Sequence, residues 1–221
     1  MNTKTYDVSV ATTLINPPAQ VVSPTNPAEV ITPFRIQVGS NAIAINANTS
    51  NLYAPLDSKL PLQKGSMAWY PFDMYEVRMF VLVNTSMSPF NGQPQDPVDV
   101  SFVIVTPSNF DWNYRIKETY GDTAVAPGVY SITVEIKRQF NVYTALVFAG
   151  IWAVTVSIGY IGSCAVIWKR RAADNPVIYI SALFAVPGFR NTLPGSPPYG
   201  CIFDILCTYF AIAVVLSFLV L

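Results

Sequence analysis

Residues 142–168 run for 27 positions without a charged side chain, VYTALVFAGIWAVTVSIGYIGSCAVIW. A helix of that length spans ~40 Å at ~1.5 Å per residue, enough to cross a hydrocarbon layer ~30 Å thick with some tilt. No other feature limits the fold as strongly, because a buried helix in a soluble domain seldom needs so long an uncharged stretch. Tyr143 and Trp168 stand near its two ends, where amphipathic rings favour the headgroup level. A second candidate, 201–221, has 21 residues and one charge, Asp204. Between them, 176–189 is uncharged but only 14 residues long, too short to span alone. Flanked by two spans, it is expected as a short third helix. Asp174 or Asn175 would cap it, Pro176 would sit in its first turn, and Pro187 and Gly188 would end it unless residues 190–192 extend it. A re-entrant hairpin is the competing reading. The expectation is an α-helical membrane region over 141–221, with helices near 142–168, 176–189 and 200–221.

The front of the chain has a different character. Residues 1–140 hold 13 of the 18 prolines and 20 of the 26 charges. Short segments at 6–14, 30–38, 41–47, 76–84, 98–106, 112–119 and 129–138 lie between Pro-, Gly- and Asn-rich turns, and VRMFVLV, VDVSFVIV and VYSITVEIK alternate with period two. About seven such strands predict an all-β, Ig-like sandwich over 1–140 as an extramembrane domain. Its last strand runs almost directly into the first apolar helix. Strand-to-helix alternation and a Gly-rich phosphate loop are both missing, which argues against a nucleotide-binding α/β fold.

Composition narrows function mainly by exclusion. The chain has no His, so the usual Ser-His-Asp triad and His-ligated zinc are excluded. With 13 basic against 13 acidic residues it lacks the electrostatics of a nucleic-acid binder. Asp57, Asp73, Asp96, Asp99, Asp111 and Asp122 are scattered through turns, where carboxylates cap and solvate. The three cysteines, Cys164, Cys201 and Cys207, all fall in the apolar region and read as small packing residues. No catalytic residue, cofactor or metal site is expected.

Two polar clusters are the candidate sites. The first is Trp69-Tyr70-Pro71-Phe72-Asp73-Met74-Tyr75. Pro71 biases Tyr70 towards extended geometry, Asp73 suits the backbone N–H groups of a turn, and the aromatics offer apolar faces with polar tips. Such a loop docks on the helices or a partner, or serves as a strand-entry turn. The second lies in 187–200, where four prolines and three glycines predict a rigid, non-helical connector containing Arg190, Asn191, Pro194, Gly195, Pro197 and Pro198. Arg190 and Asp204 flank it, and their pairing would neutralise two charges that are costly near hydrocarbon. Asp204 is otherwise a candidate for an ion or proton path, or a favourable charge in a first helical turn.

Sidedness follows from loop charge. Lys169, Arg170 and Arg171 place the 169–175 loop in the cytoplasm and the front domain outside or in a lumen, although Lys137 and Arg138 pull the other way. The first residues, MNTKTYDVSV, do not form a signal peptide, so the loop charges favour a chain whose N-terminus is incomplete over one with a cytoplasmic front domain. Asn48 and Asn84 begin sequons for N-glycosylation. Membrane lipids are expected partners, together with a protein partner or self-association.

The Tyr70, Pro71, Phe72, Asp73, Tyr75 run and the Arg190, Asn191, Pro194, Gly195, Pro197, Pro198 run together resemble the uncharacterised membrane proteins of domain-of-unknown-function family 4436, over roughly residues 60–215. The resemblance implies a membrane protein with an external domain and, typically, a preceding anchor; it implies no activity. A looser similarity is to the Cys-loop ligand-gated ion channels, where a Phe-Pro-Phe-Asp loop couples ligand to gate. This chain departs from them in having no cysteines around the loop, three helices instead of four, and a short second helix. The shared geometry suggests that 70–75 packs on the 190–200 loop. The leading functional reading is a non-enzymatic membrane protein whose outward sandwich binds a partner or acts as an accessory subunit. The alternative is a subunit of an oligomeric channel or transporter.

Overall fold

A computed structural model describes residues 1, 3, 5–26, 29–49, 51–85, 96–98, 100–107, 111–121 (backbone only from 118), 129–168 and 176–220. Among these, eight antiparallel strands in two sheets precede three helices. Strands β1 (Asp7–Thr12) and β4 (Leu56–Pro61) form a two-stranded sheet in register from Asp7↔Pro61 to Thr12↔Leu56. The larger sheet contains β2 (Phe34–Val38), β3 (Asn41–Ile45), β5 (Lys64–Gly65), β6 (Met74–Asn84), β7 (Trp112–Gly121) and β8 (Val129–Arg138). Its order is β3-β2-β6-β8-β7, with β5 also on β6.

By packing, the chain forms two compact units: Met1–Gly65, Tyr75–Ser108 and Asn113–Ile136 make the first, and Ser66–Met74, Asn109–Trp112 and Lys137–Leu221 the second. The first has its own apolar core. Phe34, Ile36 and Val38 of β2 meet Val81 and Val83 of β6, and Val21, Val22, Val30, Leu52 and Val98 close around them. This is the period-two rule at work, with alternate side chains of each strand turned inward. The β2–β3 hairpin turns at Gly39, where a φ of +58° and a would-be Cβ only 2.6 Å from the Leu60 side chain both favour glycine.

In the second unit, α1 (Val142–Gly162) starts at Asn141, whose side chain accepts the Tyr143 N–H at 2.8 Å, and it continues through a π turn, Ser163–Ile167. The second helix is α2 (Val177–Asn191). A π turn at Asp204–Thr208 leads into α3 (Tyr209–Val220). Thr144, Val147, Ile151, Thr155, Ile158 and Gly162 form one buried stripe along α1, the three-and-four spacing of a helix face. Val186, Ala211, Ile151 and Val147 share one apolar cluster, and Tyr179, Ala182, Ile158 and Val215 another. Thr155 satisfies its hydroxyl on the Ile151 carbonyl at 2.7 Å.

Three local expectations are corrected. Residues 98–106 alternate in burial, yet among their described part only the Val98 N–H, donating to the Val83 carbonyl at 3.0 Å beside the Asn84–Pro97 bridge, pairs with a strand, and no ladder follows. Alternation sorts side chains but supplies no hydrogen-bonding neighbour; Phe102 instead packs edge-on against Tyr130 at 5.0 Å. Strand β4 was absent from the expectation because Asp57, Ser58 and Pro61 disguise it, although Ser58 and Leu60 point inward. Helix α2 passes through Pro187 and Gly188 and ends at Asn191. Proline's fixed φ is itself helical, and the last turn is held by the side chain of Arg190, described next.

Candidate functional site

The second unit contains two arginine–aspartate anchors, each built around a proline-rich or proline-containing turn. At the first, Ser66 caps a short 3-10 turn, Met67–Trp69, by accepting the Ala68 N–H at 3.2 Å. The chain then passes through the cis Tyr70–Pro71 bond. Tyr70, Pro71 and Asp73 turn inward, whereas Trp69 and Phe72 stay exposed. The Asp73 carboxylate is 1% exposed and accepts from Nε and Nη2 of Arg138, the latter at 2.9 Å; the Arg138 backbone N–H also donates to the Asp73 carbonyl at 3.1 Å. Two parallel bonds to one carboxylate are the strong, orienting form of this pair. The guanidinium lies over the Trp112 ring at 4.3 Å and the Tyr70 ring at 4.9 Å, so its apolar faces are covered as well.

Tyr70 then carries this anchor to the helices. Its hydroxyl donates to the Pro194 carbonyl at 3.1 Å, lies 3.3 Å from the Thr144 hydroxyl, and its ring meets Phe203 edge-on at 6.3 Å. Burial pushes the phenol above its ordinary value of 10, so it keeps the proton it donates. Gly195, at φ +77°, sits where a Cβ would come within 3.0 Å of Arg138 Nη1. A cavity of about 10 Å³ opens among Tyr70, Pro71, Arg138, Asn141, Thr144 and Pro194, room for about one water and too small for an organic ligand.

The second anchor joins the end of α2 to the start of the last helix. Arg190 is 4% exposed and Asp204 fully buried. Arg190 Nε lies 2.9 Å and Nη2 3.0 Å from the two carboxylate oxygens, and Nη2 also reaches the carbonyls of Pro197 at 2.8 Å and Pro198 at 2.9 Å. Proline lacks an N–H, so a Pro-rich loop offers more carbonyl acceptors than its own donors can satisfy. Arg190 and Tyr70 supply the missing donors. Asp204 also accepts from the Gly200 N–H at 3.0 Å and Cys201 Sγ at 3.4 Å, and Tyr199 covers the guanidinium at 4.1 Å while its hydroxyl donates to Asn191 at 2.8 Å.

Of the residues singled out in the sequence, Tyr70 and Pro194 are in direct contact, Gly195 adjoins Asp73's partner, and Arg190, Pro197, Pro198 and Asp204 form one network. Tyr75 is buried in the first unit, on β6. Asp73 and Arg190 are not partners of each other; each has its own opposite charge. Arg138, Trp112, Thr144 and Phe203 were not anticipated, since Arg138 reads as a topology charge until its carboxylate is seen. Cys201 and Cys207 are buried and free, and both donate hydrogen bonds, Cys207 to the Phe203 carbonyl at 3.0 Å. Asn48 is exposed in a turn, while Asn84 is half-buried at a strand end. Lys169, Arg170 and Arg171 lie outside the described residues, as do Asp99 and Asp122. No group of three or more metal-ligating side chains occurs among the described residues.

Two family models match the chain. One, a Domain of unknown function (DUF4436), covers residues 2–134. The other, a Domain of unknown function (DUF8686), covers residues 137–221. The first span differs from the 60–215 of the resemblance, and the Arg190–Pro198 motif residues fall in the second model. Neither is a model of the ligand-gated channels. Comparison with curated proteins finds no match.

Proposed function

The chain belongs to the DUF4436 family, and from that premise we propose that it is an integral membrane protein whose front domain binds a partner or serves as an accessory subunit of a membrane complex. One observation carries the membrane part. The helix Val142–Ile167 has 26 residues and a mean hydropathy of 1.8, yet only 28% of its most apolar window is buried. Leu146, Val156 and Tyr160 of α1, Phe184 of α2 and Leu206 and Phe210 near α3 remain exposed. Contacts among the three helices leave this surface to be covered by something apolar, and a bilayer meets the need without further protein.

The front domain, read as an Ig-like sandwich, faces outward in this proposal, with the 169–175 loop in the cytoplasm. If so, Asn48, exposed in its turn, is the better glycan acceptor of the two, and Asn48→Gln abolishes a glycosidase-sensitive gel shift that Asn84→Gln leaves in place. Within the second unit, the Asp73–Arg138 anchor holds the 66–74 loop and the Arg190–Asp204 anchor holds the Pro-rich connector, each against the helix ends. Asp204 is occupied in neutralising Arg190, which favours anchoring over ion passage and leaves the channel alternative without support from this carboxylate.

The test is the mass of the tagged protein extracted from its membranes in mild detergent, with co-purifying chains identified. A heteromeric assembly supports the accessory role. A symmetric homo-oligomer redirects the proposal to the channel reading. Release of the chain by alkaline carbonate, without detergent, overturns the membrane assignment.

A further inference from the structure

We propose that the turn bearing Trp69 and Phe72, together with Phe140, is an anchor that inserts into the headgroup–hydrocarbon interface of the bilayer; this rests on the membrane reading above. Trp69 is 62%, Phe72 72% and Phe140 54% exposed, and the Phe72 and Phe140 rings stack at 6.3 Å with 11° between their planes. Both rings stay in water when the protein is taken alone, although each is large and apolar. The first anchor explains why they are not drawn inward: Tyr70, Pro71 and Asp73, which lie between and beside them, occupy the interior and fix the turn in place. A rigid turn that presents its aromatics outward has them aimed at something.

The occupant is identified by what the patch adjoins. Phe140 lies two residues ahead of Val142, where the 26-residue apolar helix begins, and Val142 and Tyr143 are themselves exposed. The patch is therefore continuous along the chain with the surface that requires hydrocarbon. The one charged side chain of the 66–74 turn, Asp73, is buried against Arg138, so the turn brings no uncompensated charge to the lipid. Trp, Phe and Tyr at the end of an apolar helix are the composition of an interfacial belt. Helix geometry sets a second depth for comparison: Trp152, ten residues beyond Val142, lies ~15 Å further along the axis at ~1.5 Å per residue. That is the midplane of a ~30 Å core if Val142 marks its edge.

The experiment uses the full chain in phosphatidylcholine vesicles brominated either near the headgroup or near the chain end, comparing the wild type with Trp69→Phe and Trp152→Phe. Both substitutions keep an aromatic ring, and circular dichroism verifies the fold. Trp69→Phe is expected to remove a component quenched by the shallow bromines, and Trp152→Phe a component quenched by the deep ones. If Trp69→Phe leaves shallow quenching unchanged while Trp152→Phe removes the deep component, the anchor is refuted and the spanning helix stands. Trp69 emission that is shielded from aqueous acrylamide yet untouched by bromolipid means that protein covers the patch, which also overturns the proposal. If Trp152→Phe changes nothing and the chain floats free of vesicles, the membrane reading fails and the anchor with it.

Discussion

Replacing Arg190 by Met tests the anchor between α2 and the last helix most directly. The side chain has four short contacts, at 2.9 and 3.0 Å to Asp204 and at 2.8 and 2.9 Å to the Pro197 and Pro198 carbonyls. Met fills similar volume but donates nothing, so Asp204 stays fully buried with only Gly200 N–H and Cys201 Sγ to face its charge. Removing one partner of such a pair costs ~3–5 kcal/mol, because the survivor is an uncompensated buried charge. At ~2–4 °C per kcal/mol for a chain of this length, the melting temperature in detergent falls by ~6–20 °C. Arg190→Lys keeps the charge but loses the planar fork that serves several acceptors at once, and melts between the two. The double variant Arg190→Met, Asp204→Leu removes both charges and recovers much of the loss. Recovery is incomplete, since the Pro197 and Pro198 carbonyls lose their donor in both variants. Cleavage of the 192–200 loop by added protease follows the same order. The reasoning is refuted if Arg190→Met melts close to the wild type, or if the double variant is no more stable than Arg190→Met alone.

Four further outcomes follow from the geometry. Tyr70→Phe loses the bond to the Pro194 carbonyl and costs ~1 kcal/mol; because burial raises the phenol, wild-type stability falls as pH climbs above 10, and denaturant titrations of the variant show a shallower alkaline decline. Glu76 is held below its ordinary carboxylate value by hydrogen bonds from Lys117 at 2.6 Å and from Lys64. Its contribution is present above pH 4.5 and lost as pH falls through the lowered value; with both lysines largely exposed it amounts to at most ~1 kcal/mol, and Glu76→Gln narrows the gap between urea midpoints at neutral and acid pH. Gly195→Ala forces a side chain into φ +77° and towards Arg138, for a loss of ~1–2 kcal/mol by thermal unfolding. Gly188→Ala, in a helix with open space around the new methyl, gains ~0.5–1 kcal/mol by the same measurement.

What could be read in advance divides along a physical line. Helices α1 to α3 declare themselves because their determinant, a long uncharged run, is local. The strands with apolar alternation do so for the same reason: β1, β2, β3 and β8 fall inside the segments read from pattern alone, and β6 and β7 overrun theirs by two residues. Strand β4 escapes because its inward positions carry Ser58 and Leu60 between Asp57 and Lys59, so its apolar signal is halved. Residues 98–106 err in the opposite direction, having the pattern without a partner strand, and pairing is a non-local property that no window contains. The site obeys the same division. Arg190 and Asp204, 14 positions apart with a Pro-rich connector between them, are close enough in sequence for the cost of isolated charges to suggest their pairing. Asp73 and Arg138 are 65 apart. Nothing local distinguishes Arg138 from a topology charge such as Lys137; only Asp73, buried and needing a cation, identifies it. The family boundaries sharpen this point. Tyr70 and Asp73 fall in the match ending at 134, whereas their partners Arg138, Thr144, Pro194 and Phe203 fall in the match beginning at 137. A loop encoded in one family segment is thus completed by side chains of the next. Either segment expressed alone would leave Asp73 or Arg138 buried without its counter-charge, and for that reason the two are expected to fold as a pair.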